Sequence, residues 1–414
     1  MNGPQRPLRA YGMELEYMIV DARTLDVLPV ADGLIRSVAG EYVNEVEFGP
    51  MAWSNELAAH VVEVKNLAPA PELSSLLPLF EKEVKRIEEA LSPFGAMLLP
   101  TGMHPWMDPM RETRLWPHGN REIYETYNRI FSCSGHGWAN VQSAHLNLGF
   151  AGDEEFARLH AAVRILLPIL PAIAASSPVV EGRATGLLDT RLEYYRNNQK
   201  RVPSVTGQII PERVYSRRDY ENVILARNYA DIAPFDPAGI LRHEWLNSRG
   251  AIARFERSAI EIRVLDVQEC PLADFAVAAM ISAVLEACVA ETWAGFEEQA
   301  AQEVGPLAAI LLDVIRKGEA AVIEDEGYLA LFGFPGKRAA AAELWRHLAG
   351  AAVPGFPDPG DERHAAMERI LAEGPLARRI LRALGGDFSK GSLYRVYQGL
   401  SDCLRKGCIF PASG

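Results

Sequence analysis

The segment YGMELEYMIVD, at residues 11–21, is the part of the sequence that most narrows the fold. Successive side chains of a β-strand point to opposite faces, so this segment predicts a strand with one apolar face. Met13, Leu15 and Tyr17 lie on that face, whereas Glu14 and Glu16 share the other. Two like charges side by side repel unless a cation lies between them. The segment therefore predicts both a core strand and a cation site.

Two later segments divide in the same way into an apolar and a polar face. The segment QSAHLNLGF places His145 and Asn147 on one face, with leucines on the other. The segment SAIEIRVLD places Glu261 and Arg263 together, with isoleucines and a valine opposite. Strict alternation of this kind predicts half-buried strands. We therefore expect several strands of one sheet to carry polar side chains on a common face.

The polar residues on these faces are of the kinds that bind metal ions and phosphate. Carboxylates and a single imidazole suit Mg²⁺ or Mn²⁺, and the planar guanidinium of arginine suits phosphate oxygens. A further segment, NELAAHVVEVKN, offers Glu56 and Glu63, but its alternation is imperfect and its register stays open. An antiparallel sheet with a merely solvated face is the alternative interpretation.

Long helical segments separate the predicted strands without regular βαβ alternation. Helices are expected at residues 73–91, 153–176 and 271–300, where apolar residues recur at helical spacing or fill a long run. The pattern predicts an α+β fold: a curved, mainly antiparallel sheet with helices on one face. Residues 1–300 are expected to form the main domain, and residues 301–414 a helical C-terminal region packed on it.

Charge and composition argue against several classes of protein. A net charge of −12 disfavours a general nucleic-acid binder. The longest apolar tract, AAVRILLPILPAIAASSP, contains one arginine and internal prolines, so no membrane span is expected. The N-terminal segment lacks the apolar centre of a signal peptide, which predicts a cytoplasmic chain. The five cysteines fit no zinc spacing, and a redox role for Cys403 and Cys408 stays open.

Six segments carry a resemblance to a known family. In chain order they are GMELEYMIVD, NELAAHVVEVKN, PTGMHPWMDP, QSAHLNLGF, LPAIAASSPVVEGRATGLLDTR and SAIEIRVLDVQ. Together they resemble the type 2 glutamate–cysteine ligases, also called carboxylate–amine ligases, which share the catalytic fold of glutamine synthetase. Asn147 departs from the pattern, because it stands where that family has a histidine. The region beyond residue 300 resembles the family less clearly.

The resemblance implies an ATP-dependent ligase that forms an amide bond, γ-glutamyl in the family, through an acyl phosphate. It implies ATP with Mg²⁺ or Mn²⁺, amino acids as substrates and a place in glutathione biosynthesis, and it leaves a homo-oligomer open. The metal ligands implied are Glu14, Glu16, Glu56, Glu63, His145 and Glu261. The nucleotide contacts implied are His145, Asn147 and Arg263, and the catalytic arginines are Arg263, Arg257, Arg254 and Arg183.

The absence of two common nucleotide motifs agrees with this kind of site. Neither GxxxxGK[ST] nor GxGxxG occurs in the chain, so a Walker or Rossmann site is not expected. Two other functions stay open. One is a metal-dependent hydrolase or phosphotransferase that uses the same acidic face. The other is a non-catalytic small-molecule-binding relative. The asparagine at position 147, where the family has a histidine, favours this alternative.

Overall fold

The structure is a computed structural model that describes residue 8, residues 10–351 and residues 356–411. Most of the N-terminal segment from which a cytoplasmic location is predicted lies outside these residues. The described residues contain twelve strands, numbered here in chain order. They are β1 (Tyr11–Asp21), β2 (Glu45–Phe48), β3 (Met51–Asn55), β4 (Val61–Asn66), β5 (Ala96–Leu99), β6 (Ser143–Gly149), β7 (Val179–Val180), β8 (Arg183–Ala184), β9 (Ala251–Arg254), β10 (Ala259–Asp266), β11 (Val322–Ile323) and β12 (Ala339–Ala340).

The same residues contain eighteen α-helices, joined by loops and short 3₁₀ or π-helical turns. They are α1 (Ala31–Ala39), α2 (Leu77–Leu91), α3 (Pro109–Glu112), α4 (Arg121–Phe131), α5 (His136–Ala139), α6 (Gly152–Leu166), α7 (Pro171–Ala174), α8 (Thr190–Tyr195), α9 (Arg217–Tyr220), α10 (Ala226–Ile232), α11 (Pro271–Val289), α12 (Phe296–Ala300), α13 (Val304–Lys317), α14 (Glu326–Ala330), α15 (Ala341–Gly350), α16 (Glu362–Glu373), α17 (Leu376–Leu384) and α18 (Lys390–Lys406).

One antiparallel sheet organises the protein, as the sequence predicts. Among the described residues it has eight strands in the order β2-β3-β4-β1-β6-β10-β9, and β5 pairs with the far end of β1. The central strand β1 places Glu14 opposite Lys65 on one side and His145 on the other. It also places Glu16 opposite Glu63. This register brings polar residues from three strands onto one face.

The apolar face of the sheet packs against long helices. Leu15 and Tyr17 of β1 share a buried cluster with residues of α2, α6 and α11, including Phe80, Phe156 and Phe275. The predicted helices are therefore present, although none is one continuous α-helix over its predicted range. Prolines at 168 and 171 divide the segment 153–176 into α6, a 3₁₀ turn and α7, because proline cannot donate the helical hydrogen bond.

Helix α11 is the most apolar element of the described chain. It is the one helix of these residues whose length and composition would allow it to cross a membrane, with a mean hydropathy of 1.9. Its 18-residue apolar window is 89% buried inside the protein, however, against α2, α6 and α16. Burial on all sides explains why α11 lacks a polar face.

Two C-terminal helices pack on the polar face of the sheet, whereas helices are predicted only for the apolar face. Met18 and Val20 lie on the same face of β1 as the two glutamates, but at its other end. They are buried against Ile380 of α17 and Leu400 of α18. Helices thus cover the end of this face around Met18 and Val20, whereas Glu14, towards the other end, lines a cavity.

The rest of the C-terminal region packs on the main body and is not helical throughout. The Trp345 indole donates to the carbonyl of Ile169 at 2.9 Å, and the Tyr328 hydroxyl donates to that of Ile165 at 2.8 Å. Strands β11 and β12 form a small separate ladder, where the breaker-rich sequence FGFPG interrupts the helices. The division into domains at residue 300 stays a prediction.

His104, in the segment PTGMHPWMDP, braces a turn. Its Nε2 donates to the carbonyl of Leu25 at 2.7 Å, and its Nδ1 accepts from the backbone amides of Trp106 and Met107. A proton on Nδ1 would remove that acceptor. Burial, which disfavours the charged ring, lowers the pKa of His104 to about 4.

This environment predicts a loss of stability in mild acid. The unfolded chain binds the proton of His104 at higher pH than the folded chain does, so the free energy of unfolding should fall between about pH 6.5 and pH 4. The contribution is on the order of 3 kcal/mol. Urea unfolding at pH 7 and pH 4.5 should show a weaker pH dependence for His104→Gln, which keeps a donor for Leu25 but does not titrate. An unchanged pH dependence would contradict the assignment.

Candidate active site

Five of the predicted metal ligands meet on the polar face, at the end of β1 that α17 and α18 do not cover. One ligand atom each of Glu14, Glu63 and His145 lies within 4.8 Å of the others, and the same holds for Glu16, Glu56 and Glu63. Glu63 belongs to both groups. The pairing of β1 with β4 and β6 produces this arrangement, because it places these positions side by side. Carboxylates with one imidazole are a fitting donor set for Mg²⁺ or Mn²⁺.

The carboxylates of Glu16, Glu56 and Glu63 lie close enough to repel one another when they are ionised. Burial, followed by the charges of Glu16 and Glu63, raises the pKa of Glu56 well above its usual value. Burial and the charge of Glu14 also raise the pKa of Glu63. A cation between these carboxylates would remove the repulsion. The like charges that the sequence places on β1 therefore belong to a larger acidic group that favours a cation.

His145 is held by hydrogen bonds at both ring nitrogens. Its Nδ1 lies 2.9 Å from Glu14 Oε2, and its Nε2 lies 3.0 Å from the hydroxyl of Ser143. That hydroxyl donates its proton to Glu16, so it accepts from His145. Burial lowers the pKa of His145, but the Glu14 bond and the charge of Glu16 outweigh it and raise the pKa to about 9. A metal ion could take the place of either proton.

Asn147, the residue that departs from the family pattern, orients Glu14. Its Nδ2 donates to Glu14 Oε1 at 3.1 Å, while Glu14 Oε2 bonds to His145. Burial alone would raise the pKa of Glu14, but the hydrogen bond and charge of His145 lower it to about 2. Glu14 is thus ionised and fixed by two neighbours before any ligand arrives.

Two arginines converge on Glu261 beside the metal-ligand groups. Arg254 Nη1 donates to Glu261 Oε2 at 3.0 Å, and Arg263 Nε lies 3.0 Å from Glu261 Oε1. Glu261 Oε1 also lies 3.8 Å from Nδ1 of His145, so the arginines adjoin the predicted ligands. Both oxygens of Glu261 contact arginines. Glu261 therefore lies beside the two groups of candidate metal ligands and belongs to neither of them.

A β-bulge directs Arg263, and a buried ion pair supports the bulge. The pairing of β10 with β6 shifts register between Ile262 and Leu265, which leaves Arg263 in the irregular part of the strand. Arg191 Nη2 donates to the Arg263 carbonyl at 3.3 Å and forms a buried ion pair with Asp266. The sequence analysis missed Arg191, although it ends one of the six family-like segments.

The two remaining arginines lie in different surroundings. Arg257 lines a cavity next to Glu14. Arg183 is exposed on β8, which pairs with β7, and its Nη2 is 2.9 Å from Glu181. Within the described residues, the hydrogen bonds and ion pairs of Arg183 do not reach the acidic groups. The structure therefore brings Arg254, Arg257 and Arg263 together with the predicted ligands, but not Arg183.

The cavity beside Glu14 has a volume of about 670 Å³. Its wall combines charged and amide side chains with apolar ones, among them Glu14, Lys65, Asn147, Arg257, Leu67 and Phe150. A cavity of this size holds a small organic molecule. Apolar walls with basic groups near an acidic face suit a ligand that has both a flat apolar part and an anionic part, provided that a metal ion screens the carboxylates.

Comparisons with known proteins agree with this architecture. The profile of glutamate–cysteine ligase family 2 matches residues 10–399. An uncharacterized protein of Archaeoglobus fulgidus is 40% identical over 277 residues, which are 67% of this chain and 74% of that protein. A putative glutamate–cysteine ligase 2-3 of Rubrobacter xylanophilus is 28% identical over 195 residues, or 46% of this chain and 49% of that protein. The chain thus aligns with about half the length of that named relative.

Two solved structures share the fold. The glutamate–cysteine ligase of Francisella tularensis, crystallised in complex with AMP, has a TM-score of 0.62 at 12% identity, covering 96% of this chain and 89% of that chain. The bifunctional glutathione synthetase of Pasteurella multocida has a TM-score of 0.60 at 14% identity, covering 95% and 53%. With a family profile that spans nearly the whole chain and a matching sheet, the chain belongs to glutamate–cysteine ligase family 2.

Proposed function

We propose that the protein is an ATP-dependent carboxylate–amine ligase whose acid substrate is activated as an acyl phosphate. The substrate carboxylate attacks the γ-phosphate of ATP and ADP leaves. The amine then attacks the acyl carbon and phosphate leaves, which forms the amide. One observation carries the proposal. The two groups of candidate metal ligands, three arginines and a cavity of about 670 Å³ lie together on one face of the sheet. A γ-glutamyl product follows from the family alone.

The predicted ligands fit a divalent ion. Glu16, Glu56 and Glu63 offer three carboxylates, and burial beside the charges of Glu16 and Glu63 raises the pKa of Glu56. Glu14 and His145 form the neighbouring group. When bound, Mg²⁺ or Mn²⁺ would neutralise the triphosphate and act as a Lewis acid.

The arginines and the cavity supply the other requirements of the reaction. Arg263 is fixed by the bulge, by Glu261 and by Arg191, so its guanidinium is pre-oriented for the transferring phosphoryl group. Arg257 lines the cavity together with Glu14, which is a suitable place for a contact to the phosphate chain. The apolar wall around Leu67 and Phe150 suits the base. The charge that develops in the transition state is thus stabilised by side chains that need little rearrangement.

A screen for ADP release tests this function. The purified protein is incubated with ATP, Mg²⁺ or Mn²⁺, and pairs of amino acids and amines, starting with glutamate and cysteine. We expect ADP release that requires metal, a carboxylic acid and an amine together. Turnover of phosphate esters or amides without ATP would instead establish a metal-dependent hydrolase. ATP binding without turnover for any pair would indicate a binding protein.

A further inference from the structure

Lys65 is a cation built into the acidic face. Its position on β4 is directly opposite Glu14 on β1. Its Nζ lies 2.8 Å from Glu45 Oε2 and 3.0 Å from Glu63 Oε1, and it donates to the Ser54 hydroxyl at 3.1 Å. An ammonium group has three protons, so all of them have acceptors from three adjacent strands. Lys65 is therefore held in place rather than free to follow a ligand.

This arrangement limits what Glu63 can offer to a metal. Glu63 Oε1 accepts from the Ser54 hydroxyl at 2.7 Å and also contacts Lys65. That leaves Oε2 as its less engaged oxygen, although Glu63 belongs to both candidate ligand groups. With one free oxygen, Glu63 is better suited to ligate a metal ion in one of the two groups than in both.

The three oxygens around Lys65 Nζ are themselves hard donors. They come from Glu45, Glu63 and Ser54, and oxygen donors of this kind suit Mg²⁺ or Mn²⁺ when no ammonium group is present. Metal–oxygen bonds are shorter, at about 2.1 Å, so the oxygens would have to close in. Two of them lie on the short edge hairpin of β2 and β3. Glu45 is partly exposed and its side chain has room to move.

We propose that Lys65 is a permanent counter-ion that occupies a cation position on this face, so that divalent metal is directed to the group of Glu16, Glu56 and Glu63. The inference rests on the proposed function, in which the face binds metal with ATP. Lys65 supplies one positive charge at all times, whereas a divalent ion binds and leaves. The protein thereby keeps Glu45 and Glu63 paired before metal arrives.

Mn²⁺ titration of the protein without nucleotide tests this inference, with bound ions counted from the loss of the free-ion electron paramagnetic resonance signal. Lys65→Met removes the ammonium group and leaves the three oxygens. It should bind one more Mn²⁺ per chain than the wild type. Lys65→Arg keeps the charge and should bind as many as the wild type. Lys82→Met, on the exposed side of α2, is the matched control for loss of a lysine.

Equal numbers of Mn²⁺ ions in Lys65→Met and the wild type would overturn the inference. If Lys65→Met is unfolded without metal, Mn²⁺ should restore a cooperative melt, and failure to do so would also overturn it. These outcomes are separate from a failure of the proposed function. A wild type that binds no Mn²⁺ and releases no ADP would refute the ligase site, while the comparison of the two proteins still decides the role of Lys65.

Discussion

Replacing Glu56 by Gln is expected to lower metal-dependent turnover at least about 100-fold and yet leave the metal-free protein more stable than the wild type. Burial and the charges of Glu16 and Glu63 raise the pKa of Glu56, so the folded state resists its ionisation at neutral pH. Gln is nearly the same shape but carries no charge. It removes the repulsion, and it also removes an oxygen that would ligate the metal.

Glu16→Gln should separate these two effects. The Glu16 carboxylate accepts hydrogen bonds from the backbone amide and the hydroxyl of Ser143, so its loss should not stabilise the protein. Metal binding should weaken as it does in Glu56→Gln. Glu47→Gln, on the exposed strand β2, is the control and should match the wild type in both respects.

Thermal melting with and without Mg²⁺ and a non-hydrolysable ATP analogue measures both quantities. The wild type and Glu47→Gln should gain melting temperature when both ligands are added. Glu16→Gln and Glu56→Gln should gain little, and Glu56→Gln should start from the higher metal-free value. Equal ligand-induced stabilisation in all four proteins would mean that these glutamates do not bind the metal.

Arg263→Lys is the second change with a large expected effect. Lysine keeps the charge but loses the planar fork that contacts Glu261 and, in the proposed reaction, the phosphoryl group. We expect turnover to fall about 10²- to 10³-fold, as for removal of one donor to a transition state. Binding of the ATP analogue should change much less, because the interaction gains strength only as charge develops.

The control for this change is an exposed arginine with a similar partner. Arg217 pairs with Glu221 on the surface at 2.7 Å, so Arg217→Lys should leave turnover unchanged. Steady-state kinetics and melting temperatures of both variants are compared with the wild type. Near-wild-type turnover in Arg263→Lys would make Arg263 a structural partner of Glu261 and remove it from the mechanism.

The sequence predicts the strands of the site well because their alternation is a local property. β1, β6 and β10 each show their two faces in the order of their residues, so Glu14, His145 and Arg263 could be assigned to one face. Glu63 could not be assigned to a face, because apolar and polar residues do not alternate strictly in the segment before β4. The register with β1 settles its position opposite Glu16.

Other features depend on contacts between distant segments and leave no local signal. Arg191 reaches Asp266 across 75 residues, and Lys65 gains its role only when β2 and β3 lie beside β4. Met18 and Val20 look like part of an exposed face until α17 and α18 cover them. Resemblance between segments identifies the family, but the pairing of strands decides which side chains meet.

The two glutamates of β1 differ in their partners. Glu14 has its own cationic and amide partners in His145 and Asn147. Glu16 accepts bonds from Ser143 and faces two further carboxylates, Glu56 and Glu63. His145 Nε2 lies 3.8 Å from Glu16 and Lys65 contacts Glu63, so these cations only partly offset the three carboxylates of the second group. Glu14 is thus neutralised by the protein, whereas the neighbouring group with Glu16 has more negative than positive charge and favours a cation.

The proposed function depends on activation of a substrate carboxylate by ATP on this face. Transfer of ¹⁸O tests it most directly, using the acid substrate that the ADP-release screen identifies, labelled in its carboxylate. An acyl phosphate intermediate carries one carboxylate oxygen to phosphorus, so each amide formed should release one phosphate with a single ¹⁸O atom. Glu56→Gln, assayed in parallel, should release almost none. Amide formation with unlabelled phosphate would contradict the account.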